Sequence, residues 1–212
     1  MNYTTILLSG LLCTIPAVRD FQCDLDHDDH DDHDDHDDDD DDDDGGGGEL
    51  YWAEGPQVGV PEADLVGWTQ CFSDLYANIE PDLTGGILGE QCTGSKLLMA
   101  CRPVGATDFQ LLAMGDRADV LFDVGAQVDG KHEANGVAWY FSDDSSWGFA
   151  PAGATVSRTS CDTLFGNPGE IDPELRLCWH TFADELDSGW RCGADEFLNN
   201  SIDFERVIFQ AD

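Results

Sequence analysis

Six cysteines, Cys71, Cys92, Cys101, Cys161, Cys178 and Cys192, are spread through residues 49–212, and no two stand in a C-x-x-C pair. Without that pair, zinc ribbons and thioredoxin-like redox sites lose their usual spacing. An even set at wide, unequal intervals instead predicts three disulfides and an oxidising, exported setting. Six cysteines allow 15 connectivities, and spacing alone does not choose among them. Each bridge contributes about 2–4 kcal/mol, enough to steady a loop-rich domain.

The N-terminus agrees with export. Residues 5–18, TILLSGLLCTIPAV, have the length of a signal-peptide core and are too short to span a bilayer. Against this, MNYT lacks the usual Lys or Arg, Ile15-Pro16-Ala17 fits the small-x-small cleavage rule poorly, and Leu12 before Cys13 breaks a lipoprotein box. The expectation is a signal peptide over 1–18, an extracellular or cell-surface location and no membrane insertion. Loss of Cys13 with that segment leaves Cys23 outside the set of six, either free or in an intermolecular disulfide.

Residues 19–48 form a second compositional block. Between Asp24 and Asp44 stand 16 Asp and no Lys or Arg, interrupted by His27, His30, His33 and His36 and followed by four glycines. No hydrophobic residue occurs from Asp26 to Gly48, so burial cannot offset the entropy of ordering, and a disordered, charge-extended stalk with a glycine joint is expected. Imidazole suits zinc and carboxylate suits calcium. A disordered ligand set must order itself on binding, which predicts weak Zn2+ or Ca2+ capture. The tract reads first as a solvated spacer, and the two roles are compatible.

Charge excludes a class of partners. The chain carries a formal net charge of -36, and residues 49–212 alone hold 28 acids against 8 bases. Nucleic-acid phosphates and anionic lipids need Lys and Arg to neutralise them, so DNA and RNA are set aside.

After Glu49 short apolar runs alternate with Gly, Asp, Ser and Pro, the pattern of small antiparallel sheets. Strands are expected at 96–103, 109–114, 120–124, 136–141, 147–151, 175–180, 189–192 and 204–210. Only VGWTQCFSDLYANIE, residues 66–80, suggests a helix. Within GVAWYFSDDSSWGFAPAG, residues 136–153, two aromatic runs flank a turn-forming cluster, predicting a hairpin with a four- or five-residue loop. The fold class expected is all-β: a single disulfide-stapled, antiparallel β-sandwich-like domain over 49–212, behind a disordered acidic stalk. RLCWHTF, residues 176–182, and SGWRCG, residues 188–193, resemble small secreted cysteine-rich modules in general, and no narrower family.

Several residue groups are candidate sites. Trp147 abuts the hairpin turn beside Asp143 and Asp144, with Tyr140 on the facing strand. A ring that stacks on a sugar face, flanked by carboxylates that accept hydroxyl hydrogen bonds, makes a glycan edge. The other tryptophans of these runs, Trp139, Trp179 and Trp190, read mainly as core. In DVGAQVDGKHEANG, Asp123, Asp129 and Glu133 surround flexible glycines as a calcium loop does, though without EF-hand spacing. A solvated turn explains them as well.

Catalytic signatures are absent: there is no G-x-S-x-G elbow and no H-E-x-x-H pair. GEQCTGSK, residues 89–96, has Ser95 before Lys96, the reverse of a phosphate loop. His132 and His180 are the domain's only histidines. Asn199-Asn200-Ser201 is an N-glycosylation triplet. The expected function is non-catalytic binding of carbohydrate or a matrix component, needing no cofactor, with calcium as an optional assistant in the domain. Two alternatives stand beside it: a matrix protein whose polyanionic tract binds divalent cations, and a secreted hydrolase using paired carboxylates.

Overall fold

A computed structural model describes residues 48–78, 82–163, 172–181 and 189–212. The signal segment, Cys23 and the tract with His27, His30, His33 and His36 lie outside the described residues. The described residues form one compact unit, and no described helix is long and apolar enough to cross a membrane.

Two antiparallel sheets make up that unit. The first holds β1 (Gln57–Pro61), β2 (Thr69–Leu75), β3 (Lys96–Pro103), β4 (Asp108–Asp116) and β11 (Phe204–Ala211), in the spatial order β1-β4-β3-β11-β2. The second holds β5 (His132–Ala134), β6 (Val137–Phe141), β7 (Ser146–Pro151), β8 (Leu177–His180), β9 (Arg191–Cys192) and β10 (Asp195–Glu196), in the order β10-β9-β8-β7-β6-β5.

Side-chain alternation explains how both sheets are held. Along β3 and β4, Leu97, Met99, Cys101, Leu111 and Ala113 join one buried cluster together with Trp139, Trp147, Phe149 and Trp179 of the second sheet. The intervening Leu98, Ala100, Leu112 and Met114 enter a separate cluster with Val60, Leu65 and Trp68. The first sheet is therefore covered on both faces, and so its central strands read as unbroken apolar runs. One core shared by two antiparallel sheets is the all-β arrangement expected from the sequence.

The hairpin at 136–153 forms as β6 and β7, with four residues, 142–145, between the strands. Its register sets Trp139 opposite Phe149 and Phe141 opposite Trp147. Both pairs meet edge to face, with centroids 5.4 Å and 6.3 Å apart. Asn135 and Gly136, at φ 50° and 71°, make the two-residue turn from β5 to β6, where an Asn-Gly pair is favoured.

Two expectations fail. The helix expected within 66–80 is strand β2, which pairs with β11 and is bridged through Cys71 to Cys92. Cross-strand pairing and the covalent tie override its local propensity. The strand expected at 120–124 is instead the end of a four-residue helix, α1 (Arg117–Val120), and the turn after it. Arg117 turns the chain there: its guanidinium donates to the carbonyls of Leu88 and Cys92. Only Asp123 keeps a β contact, an isolated bridge to Phe141. A π-helix at Leu83–Gln91 gives no periodic signal in LTGGILGEQ, and its bonds from Ile87 to Asp82 and from Cys92 to Ile87 span five residues.

All six domain cysteines pair, as Cys71–Cys92, Cys101–Cys192 and Cys161–Cys178. The second bridge ties β3 to β9 and hence one sheet to the other. The third fastens the segment after β7 onto β8.

Arginines serve the interior. Arg158, Arg176, Arg191 and Arg206 are all buried. Arg176 pairs with buried Asp162 and donates to the Thr155 carbonyl at 2.9 Å. Arg191 donates to the carbonyls of Pro173 and Gly193, each at 2.9 Å, and to that of Asp162. Arg206 donates to the Asn78 carbonyl at 2.8 Å and lies 4.8 Å over the Trp190 ring. Guanidinium suits this work because its five donors satisfy several carbonyls at once.

Candidate functional site

The predicted glycan edge does not form. Trp147 and Tyr140 are fully buried, as are Trp139, Trp179 and Trp190. Trp147 lies opposite Trp179 in the β7–β8 register, meets it edge to face at 5.5 Å, and donates its indole N–H to the Val120 carbonyl at 3.2 Å. Two coverings bury these rings. Trp147 joins the cluster that the second sheet shares with Leu97, Met99 and Leu111 of the first, while Tyr140 lies opposite Gly148 on the other face, where the Ser146 hydroxyl donates to the Arg158 carbonyl at 2.6 Å and Cys161 is bonded to Cys178. Asp143 and Asp144 stay exposed at the turn, without the Trp147 and Tyr140 rings beside them on the surface. The Ser142 hydroxyl donates to Asp144 and holds its carboxyl below the usual range, with Arg158 adding a weaker pull. This is a turn staple.

The exposed ring lies one loop away. α1 ends at Val120, and the chain turns so that Phe122 stacks on His132 of β5, with centroids 4.4 Å apart and planes within 15°. His132 Nε2 is 2.7 Å from Asp119 Oδ1, so a carboxylate on α1 orients the imidazole that backs the phenyl ring. Phe122 keeps 48% of its surface open. Beside it is a hollow of about 140 Å³ lined by Phe122, Asp123, Val124, Gln127, Gly130 and Lys131. That is below the roughly 300 Å³ of an enclosing ligand pocket, so the hollow fits the edge of a ligand rather than its whole body.

Its polar groups are firmly placed. Asp123 accepts the Gly125 N–H at 2.7 Å. Lys131 donates to the Ala154 carbonyl at 2.6 Å and pairs with Glu133 at 3.0 Å. Glu133 is held below its ordinary pKa chiefly by the Lys131 hydrogen bond, with the Gly153 N–H adding to it. From the other side Arg158 clamps the loop, donating through its Nε to the Gln127 carbonyl at 2.8 Å.

The expected calcium loop is thereby divided. Asp123 reaches the hollow, Glu133 turns to Lys131 and Gly153, and Asp129 stays on the exposed part of the loop. Among the described residues no three His, Cys, Asp or Glu groups converge to hold a metal ion. His180 is buried, with Nδ1 3.0 Å from the Ser145 carbonyl.

Sequence reasoning overlooked Phe122 because LFDV reads as strand interior. It also overlooked Trp52, which is 42% exposed and stacks on Trp68 at 6.4 Å. Trp68 in turn donates its indole N–H to the Tyr51 carbonyl at 2.7 Å. Two larger hollows have no aromatic ring in their lining: one of about 410 Å³ near the C-terminus, lined by Gly67, Thr69, Thr93, Gly94, Gln210, Ala211 and Asp212, and one of about 520 Å³ lined by Pro61, Glu62, Ala63, Arg102, Ala106, Thr107 and Asp108.

No protein-family model matches the chain, and neither a curated protein nor a solved structure matches it.

Proposed function

We propose that the domain is a non-catalytic binding module outside the cell, taking the edge of a neutral, hydroxyl-rich ligand such as a glycan at Phe122. The observation that carries this reading is the braced aromatic face: Phe122 is open to solvent, backed by His132, which Asp119 orients, and bordered by a polar hollow. A pyranose lays its C–H face on such a ring, while Asp123 accepts from its hydroxyls and the Gln127 amide both donates and accepts. The three disulfides fit an oxidising environment, and extracellular location is part of the proposal. The acidic surface disfavours sulfated or uronic-acid polymers, which would meet like charge.

Glycan-array binding with the oxidised full chain tests this, in calcium and in chelator. Binding to neutral sugars that Phe122→Ala abolishes supports the site. Chelator-sensitive binding adds calcium, with Asp123 as its first ligand to replace. Silence across the array, or binding indifferent to Phe122, rejects the reading.

A second reading is a matrix polyanion that gathers divalent cations. It is favoured by the inward arginines, which leave the exterior to the acids. Deleting residues 24–48 separates the two, since a Phe122 site keeps its ligand while a polyanion loses the cations held by the tract's 16 Asp and four His.

A further inference from the structure

The turn from β10 to β11 carries Phe197-Leu198-Asn199-Asn200-Ser201, whose last three residues form an N-glycosylation triplet. Leu198 anchors the turn: it is buried, and its N–H donates to the Trp190 carbonyl at 3.1 Å. The Ser201 N–H then donates to the Leu198 carbonyl at 2.8 Å, which makes Asn199 and Asn200 the two central residues of a four-residue turn. Asn200 has φ 66°, a left-handed conformation that asparagine tolerates better than most residues. Asn200 is exposed, and Asn199 and Ser201 are partly so. Two open apolar side chains flank the triplet: Phe197, 46% exposed, and Ile202, 69% exposed.

We propose that Asn199 carries an N-linked glycan whose first sugar packs against Phe197. In the transfer, Asn199 Nδ2 attacks the anomeric carbon of a polyprenyl-diphosphate-linked oligosaccharide. The new N–C bond replaces the C–O bond to the diphosphate, which leaves as the anion, and Nδ2 gives up one proton. Ser201 supplies the hydroxyl, two positions downstream, that defines the acceptor. The phenyl ring two positions upstream offers an apolar face that the sugar's C–H groups cover. A neutral glycan also shields this apolar spot without meeting the acidic surface as a like charge.

The test is peptide-level mass spectrometry of the full chain secreted from a eukaryotic host, after enzymatic de-N-glycosylation in heavy-oxygen water. Reading the peptide separates Asn199 from the chain's other triplet, Asn2-Tyr3-Thr4. Conversion of Asn199 to labelled Asp in most molecules is expected. Asn199→Gln and Ser201→Ala should each remove the label, and Phe197→Ala should lower occupancy at least twofold. Secreted wild-type protein with unmodified Asn199 overturns the proposal, and unchanged occupancy in Phe197→Ala overturns the packing of the sugar on the ring.

Discussion

Asp162 and Arg176 form an ion pair closed to solvent on both sides, with 0% and 1% of their side chains exposed. Asp162 also accepts the Ser157 N–H at 3.0 Å, and its backbone carbonyl takes a bond from Arg191. Asp162→Ala would leave the Arg176 charge without its carboxylate, at a cost of about 3–5 kcal/mol. Urea unfolding should register this as a lower midpoint at unchanged slope. Asp162→Leu with Arg176→Met removes both charges and should recover more than half of the loss; a double variant as unstable as the single one would show that the pair is not what holds the segment.

The two aromatic positions should part cleanly under mutation. Phe122→Ala removes a half-open ring, so stability should stay within about 1 kcal/mol of the parent while ligand binding falls. Trp147→Ala excavates the core, and a loss of about 3–5 kcal/mol is expected. Thermal melts and binding measured side by side on both variants check the contrast.

Tyr76 predicts an alkaline limit. Burial pushes its phenol well above the ordinary value, against the opposing pull of Arg206 and Arg191, and its hydroxyl donates to the Arg191 carbonyl at 3.1 Å. The folded state therefore holds the phenolic proton more tightly than the unfolded chain, whose tyrosine titrates near pH ~10. The stabilisation is complete below that pH and is lost as pH rises toward the folded value. Tyr76→Phe should cost about 1 kcal/mol at neutral pH and flatten the decline above pH ~10, read from urea midpoints across the range.

Cys101–Cys192 joins residues 91 apart and links the two sheets. Chain entropy gives such a closure about 4–5 kcal/mol, against about 3 for the 17-residue separation of Cys161–Cys178. Paired Cys→Ala replacements should follow that order in thermal midpoint. A reversed order would mean that the segment over the second sheet depends on its staple more than the sheets depend on theirs.

How far the sequence showed all this depends on the range of the forces involved. β3 was legible as a long apolar run bounded by turn residues, and β11 as an alternating one, with Val207 and Phe209 on one face. The pairing of all six domain cysteines was legible from an even count without C-x-x-C, while the partners were not, since connectivity is a property of the closed fold. β2 was hidden because TQCFSDL is too polar to announce a strand, and its identity comes from pairing with β11, some 135 residues away. Trp147 misled for a related reason. Beside a polar turn an indole looks exposed, and only the packing of the second sheet against Leu97, Met99 and Leu111 of the first buries it. Phe122 fails in the opposite sense: surrounded by Leu121 and Val124 it looks internal, yet the turn after α1 brings it out.

The inward arginines have a consequence for how many copies of this protein share a space. With the guanidiniums committed to carbonyls and buried rings, the charge facing solvent is almost entirely of one sign. Neighbouring molecules then repel over a distance set by dissolved salt, about 8 Å at physiological ionic strength and about 30 Å at one-hundredth molar. Packed into a gel or coat, such a protein draws in counterions and, with them, water. The layer swells on dilution and contracts when salt or divalent cations are added.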